Sequence, residues 1–227
     1  MSFYSPEFKR YITINRKKKI RRLSLKVCRI TSTITINAPI YTPNSDINNF
    51  FYENHNWITK QLLQCVVPKI VKKGLFLPIE GNFCEIVVKN IPKITFLEKN
   101  KICIPLSNNN IGNVIKNFLI EYCKSIMIPI ILKNSNLIQK KISKVSFKDA
   151  KSRWGSCSSN GAIMLNWRLI MAPPSVYNYV IIHELSHLIH MNHGPQFWKL
   201  VYKLHPNYLN DKKWLRINSK EIRKYIF

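Results

Sequence analysis

The spacing of apolar positions divides the chain into a strand-rich first part and a helix-rich second part. Between residues 9 and 39 the pattern alternates. Leu23, Leu25 and Val27 precede a turn near Thr31-Ser32, and Ile34 and Ile36 follow it. Period-two alternation of this kind predicts two or three strands with a hairpin among them. Residues 46–66 change to helical spacing, with Asp46 or Ser45 as the cap and Ile47, Phe50, Phe51, Trp57, Ile58 and Leu62 as core positions. A connector marked by Pro68, Gly74, Pro78 and Gly81 leads to short strands at 83–88, 94–97 and 102–105. No internal repeat stands out. The polar run Ser107-Asn108-Asn109-Asn110 is the best seam in the chain. It sets a β-rich subdomain, 1–106, apart from a second subdomain, 107–227, within what can be one continuous domain.

Beyond the seam Ile111, Val114, Ile115, Phe118, Leu119, Tyr122 and Ile126 recur at helical spacing, and Pro129 is expected to kink or end that helix. Residues 144–148 and 162–167 alternate as strands around turn chemistry at Ser158-Ser159-Asn160-Gly161. A helix opens at Pro173-Pro174-Ser175, with Ser175 as the expected N-cap. Its body is apolar nearly all round (Val180, Ile181, Ile182, Leu185, Leu188, Ile189), which describes a buried helix. Helices at 195–204 and 211–225 complete an α+β expectation.

That buried helix carries the chemistry. His183-Glu184-Leu185-Ser186-His187 is an HExxH motif, and four of the six histidines lie within residues 180–198. Imidazoles at i and i+4 share one helix face and can converge on one ion, and Glu184 stands close enough to act on a water bound to it. Burying these groups without a partner is costly, and a metal satisfies them. A catalytic zinc takes three protein ligands and keeps one position open. His190 lies seven residues beyond His183, about 10.5 Å along a straight helix, too far for one ion. His193 follows a turn at which Asn192 can adopt the left-handed conformation, Gly194 is permissive and Pro195 can start a new helix. His193 is therefore the preferred third ligand and Asp211 the alternative, with His190 behind the ligands or on the surface.

Composition adds less. The 227-residue chain has 36 basic and 11 acidic residues, a formal charge of +25. Such a balance attracts polyanions, so nucleic acid, nucleotides or acidic proteins are candidate partners through a basic surface. Abundant Lys, Asn and Ile also fit simple compositional drift. The basic run Arg16-Lys17-Lys18-Lys19 with Arg21 and Arg22 reads as a solvated strand edge or a nucleic-acid contact. Six cysteines (Cys28, Cys65, Cys84, Cys103, Cys123, Cys157) stand singly, without a CxxC pair. With no signal pattern and no membrane-length apolar run, the expected setting is the cytoplasm, with no membrane partner. His55 is isolated and reads as structural.

Three stretches carry a family resemblance: Arg153-Trp154-Gly155-Ser156-Cys157-Ser158, Asn166-Trp167-Arg168-Leu169, and Tyr179-Val180 with HELSH, Asn192-His193 and Phe197-Trp198. The chain resembles the YgjP-like metallopeptidases, relatives of the SprT and Spartan zincin proteases. The resemblance implies a zincin-like catalytic core (a small sheet plus the HExxH helix) with His183, His187 and His193 as ligands, Glu184 as general base and one zinc per chain. Arg153, a fixed cation able to face a developing oxyanion, and Asn166 are candidate substrate-binding residues. Cys157 is not expected to ligate, since three histidines already leave the open position. The expected activity is zinc-dependent hydrolysis of a peptide or protein. Hydrolysis of a nucleotide phosphoanhydride, or a non-enzymatic zinc module that binds nucleic acid, remain the alternatives.

Overall fold

The computed structural model describes residues 2–28, 31–97, 100–106 and 110–227. The chain is α+β and divides into two compact units, 1–69 and 70–227. Of the seam expected at 107–110, Ser107, Asn108 and Asn109 lie outside the described residues. Asn110 caps the following helix, its side chain accepting from the Asn113 N–H at 3.1 Å.

In the first unit β1 (Ser2–Ser5), β2 (Arg10–Arg16), β3 (Ser24–Val27) and β4 (Ile34–Ala38) form one sheet in the order β1-β2-β4-β3. The β1/β2 and β3/β4 pairs are antiparallel, and the central β2/β4 pair is parallel. Alternation buries Ile12, Ile14, Ile34, Ile36 and Ala38 on one face, against Ile47 and Phe51 of α1 (Asn44–Glu53) and Ile58 of α2 (His55–Leu62). The sequence pattern predicts one helix here. It is interrupted at Asn54, whose backbone N–H and side-chain amide both donate to the Phe50 carbonyl, the side chain at 2.8 Å. Trp57, expected in the core, is 43% exposed. His55 pairs with Glu7 at 2.6 Å and stacks on Phe8, as befits a structural residue.

After β5 (Lys69–Ile70) the second unit repeats the first sheet's plan in another sequence. Strands β6 (Phe76–Ile79), β7 (Asn82–Lys89), β8 (Thr95–Leu97) and β9 (Lys101–Pro105) take the order β6-β7-β9-β8, with an antiparallel, a parallel and an antiparallel pair. Strand β6 falls in the stretch expected to be a connector, because Pro78 weakens the strand signal; as an edge strand it tolerates the proline. Helix α3 (Ile111–Leu137) continues past Pro129 rather than ending there. Proline removes one helical N–H, and the buried stripe Ile115, Leu119, Cys123, Met127 and Ile131 continues across it.

Strand β10 (Lys144–Lys148) pairs parallel with β12 (Ala162–Asn166), and β11 (Gly155–Cys157) pairs antiparallel on the other side, making β11 an edge. A 3₁₀ turn (Trp167–Met171) leads into α4 (Pro174–Ser186), followed by α5 (Pro195–Leu204), α6 (Tyr208–Arg223) and β13 (Tyr225–Ile226). Pro173 is the N-cap of α4 and Pro174 its first residue; Ser175 makes no capping bond. The helix buries Val176, Tyr177, Tyr179, Val180, Ile181, Ile182 and Leu185, as its all-round apolar pattern requires. No helix among the described residues is long and apolar enough to cross a membrane.

Candidate metal centre

The end of α4 sets the geometry. The regular helix stops at Ser186, and the His187, Leu188 and Ile189 N–H groups bond to carbonyls three residues back, tightening the last turn. The chain then reverses through Asn192, whose side chain accepts from the Gly194 N–H at 3.3 Å. This side-chain turn replaces the left-handed residue expected there: Asn192 is not among the positive-φ residues, and Gly194 has φ −71°. Pro195 then starts α5. The reversal brings His193 back to the helix.

One ring nitrogen from each of His183, His187 and His193 lies within 4.8 Å of the others. His183 Nε2 and His193 Nε2 are 3.1 Å apart. Two nitrogens about 2.0–2.1 Å from one tetrahedral zinc stand about 3.3 Å apart, so the pair is close to ligating geometry. Burial, first, and the neighbouring imidazoles push His183 down to about 3, and burial lowers His187 as well. Both are held neutral, the form that binds a metal. His187 Nδ1 meets the His190 carbonyl at 3.1 Å, which suits a tautomer leaving Nε2 free for an ion. His183 Nδ1 is buried without a hydrogen bond among the described residues. The buried Phe197 ring packs against all three imidazoles at 4.6–4.9 Å, so a residue that carries the family resemblance also backs the cluster. The donor set fits a zinc-type ion.

Glu184 is 6% exposed. Its carboxylate makes no hydrogen bond or ion pair among the described residues, and burial raises it to about 7 against the opposing pull of Arg153. It shares a cleft of about 330 Å³ with the three histidines, Met191 and strand β11. Gly155, part of the Arg153–Ser158 stretch but given no role at the site from sequence, lies against Glu184. A Cβ there would stand 2.4 Å from Glu184 Oε1 and 2.6 Å from its Cγ. Only the coincidence of a glycine with the HExxH motif could have signalled it.

The remaining candidates separate. Arg153 is exposed, yet near enough for its charge to act on Glu184. Asn166 is fully buried. Its amide donates to the Ala150 carbonyl at 2.9 Å and accepts from the Arg168 N–H at 3.0 Å, so it braces the loop that carries Arg153 rather than meeting a substrate. Asp211, the alternative third ligand, is engaged by His205 at 2.6 Å. His190 contributes its backbone carbonyl to His187. Burial, with Glu184 adding to it, pushes the Cys157 thiol up to about 11, away from the thiolate a metal prefers.

A family model described as "YgjP-like, metallopeptidase domain" matches residues 21–218. Among solved structures, the crystal structure of the metallopeptidase zymogen of Pyrococcus abyssi abylysin matches at 24% identity, over 46% of this chain and 92% of that one. Its TM-score of 0.32 is too low to establish a shared fold. A search among curated proteins gives no match.

Proposed function

Because the chain belongs to the YgjP-like metallopeptidase family, we propose that it is a zinc-dependent peptidase whose general base is Glu184. The convergence of His183, His187 and His193 beside a buried, unpartnered Glu184 carries this reading. His183, His187 and His193 would hold the zinc ion, which would supply Lewis acidity to polarise a carbonyl and activate water. Glu184 accepts a proton from the attacking water at its carboxylate and returns it to the leaving amine. It must be ionised to do so, and a neighbouring dication favours that form over the neutral one.

Strand β11 supports a peptide as substrate. The Asn166 N–H donates to the Trp154 carbonyl and the Ser158 N–H to the Ala162 carbonyl. By antiparallel alternation, Trp154, Ser156 and Ser158 turn their backbone groups towards β12, and Gly155 and Cys157 turn theirs to the open edge. An extended peptide can add there as a further strand, with its scissile bond beside the histidines. Arg153, on the approach to this strand, is the candidate to face negative charge developing on the carbonyl oxygen.

The test is a screen of peptides alongside nucleoside triphosphates, with zinc content measured on the same samples. About one zinc per chain and cleavage of peptides by the wild type are expected. Glu184→Gln should retain zinc and lose activity towards the upper end of the 10²–10⁴-fold range for a positioned base. Triphosphate turnover with no peptide cleaved would redirect the site to phosphoryl chemistry.

A further inference from the structure

Gly155 lies in an extended strand and has no positive φ. Backbone freedom therefore does not explain a glycine there, and glycine inside a strand costs stability. Space explains it: the Cβ of any other residue would meet Glu184 Oε1 at 2.4 Å, Cγ at 2.6 Å and Cδ at 2.7 Å. We propose that Gly155 is a positioning residue, its bare Cα forming the floor on which the Glu184 side chain rests. The proposal rests on the reading of Glu184 as the base.

Two further observations point the same way. With no hydrogen bond to the Glu184 carboxylate among the described residues, packing is the close-range constraint on where it stands. Alternation along the strand also places Gly155 and Cys157 on one side, and the charge of Glu184 acts on Cys157 as that of Arg153, just before the strand, acts on Glu184. The helix cannot simply retreat. The Tyr177 hydroxyl, on the helix before His183, donates to Glu80 Oε1 at 2.8 Å and ties down the first half of α4. Non-bonded heavy atoms settle about 3.5 Å apart, so an alanine at 155 displaces the carboxylate by roughly 1 Å, enough to cost about 100-fold in rate.

Four proteins test this: wild type, Gly155→Ala, Glu184→Ala and the double variant. Thermal melting of the metal-free proteins reads the contact without any substrate. Gly155→Ala should lower the melting temperature by several degrees when Glu184 is present. It should do little in Glu184→Ala, which lacks the three atoms the new Cβ would meet. Kinetics on a peptide cleaved by the wild type supply the second readout: for Gly155→Ala, kcat about 100-fold lower, KM within about three-fold, and zinc content unchanged. Equal melting shifts in both backgrounds would overturn the proposal whatever the substrate is. So would a kcat near wild type despite a melting shift specific to Glu184, since the contact would then be packing alone. If the wild type cleaves no peptide but the melting shift still depends on Glu184, the floor stands and the peptidase reading falls.

Discussion

Glu80, at the tip of the β6/β7 hairpin, has both carboxylate oxygens taken: Tyr122 donates to Oε2 and Tyr177 to Oε1, each at 2.8 Å. Glu184, further along the helix that carries Tyr177, has neither oxygen taken among the described residues and is buried at 6% exposure. A half-buried carboxylate with two hydroxyl donors is a finished interaction, and it pins a turn to two helices. An unpartnered buried carboxylate beside three converging imidazoles is unfinished, and costs stability until something arrives. One helix thus carries a closed cluster at its start, which fixes it, and an open one at its end, which is exposed to the cleft. The difference teaches which polar group belongs to the scaffold and which to the chemistry.

If the open cluster exists for a metal, removing one member should cost binding and spare the fold. His193→Ala is expected to lower zinc affinity by more than the 10–100-fold typical of residues that only orient a ligand. Metal-free melting should hardly change, because His193 is exposed. His190→Ala should keep the metal, since only the backbone carbonyl of His190 meets His187. Competition with a chromophoric chelator measures both. A His190 variant that loses zinc while the His193 variant keeps it would reverse the ligand assignment.

The second comparison is in pH. Burial holds the Glu184 carboxyl at about 7, above its ordinary 4.5. The stability tied to its protonated form is full below about 4.5 and disappears as pH rises towards 7. That rise of 2.5 pH units corresponds to about 3 kcal/mol in the metal-free protein. His183 runs the opposite way, being lowered, but wild type and Glu184→Gln share it. The difference between the two proteins therefore isolates Glu184: the glutamine variant should gain relative stability between about pH 4.5 and pH 7. Urea denaturation after chelation reads it, and a flat difference would mean that Glu184 is not an unpartnered buried acid.

Much of this was legible in the sequence, for physical reasons that can be named. HExxH prescribes its own geometry through the i, i+4 relation, and the alternating strands declare a buried face. His193 is legible because a turn must intervene before a third imidazole can join the first two. The turn is there, but Asn192 builds it with its side chain rather than with a left-handed backbone. What stayed hidden depends on contacts distant in sequence. The β6 strand exists because an edge tolerates Pro78. Asn166 is polar yet spent on backbone groups far along the chain. Gly155 has meaning only once Glu184 is laid across it. The common plan of the two four-stranded sheets was equally invisible, because strand order leaves no mark on residue identity beyond alternation.

The smallest expected effect belongs to the closed cluster and completes the contrast. Tyr122→Phe and Tyr177→Phe each leave one Glu80 oxygen without its donor and should each destabilise the protein by about 1–2 kcal/mol. Because both bonds end on one carboxylate, the double variant should not show the simple sum. Burial, first, and Glu80 raise both hydroxyls, Tyr122 to about 12 and Tyr177 further, so they stay protonated donors at any working pH. The loss should therefore be the same at about pH 6 and pH 9, unlike the pH-dependent difference at Glu184. Zinc content should remain that of the wild type, since neither ring lies in the cleft with the histidines. Chemical denaturation at the two pH values, with metal analysis of the same preparations, decides it. A tyrosine variant that keeps full stability but loses zinc would show that the two clusters are one, and that Glu80 acts on the metal centre through α4.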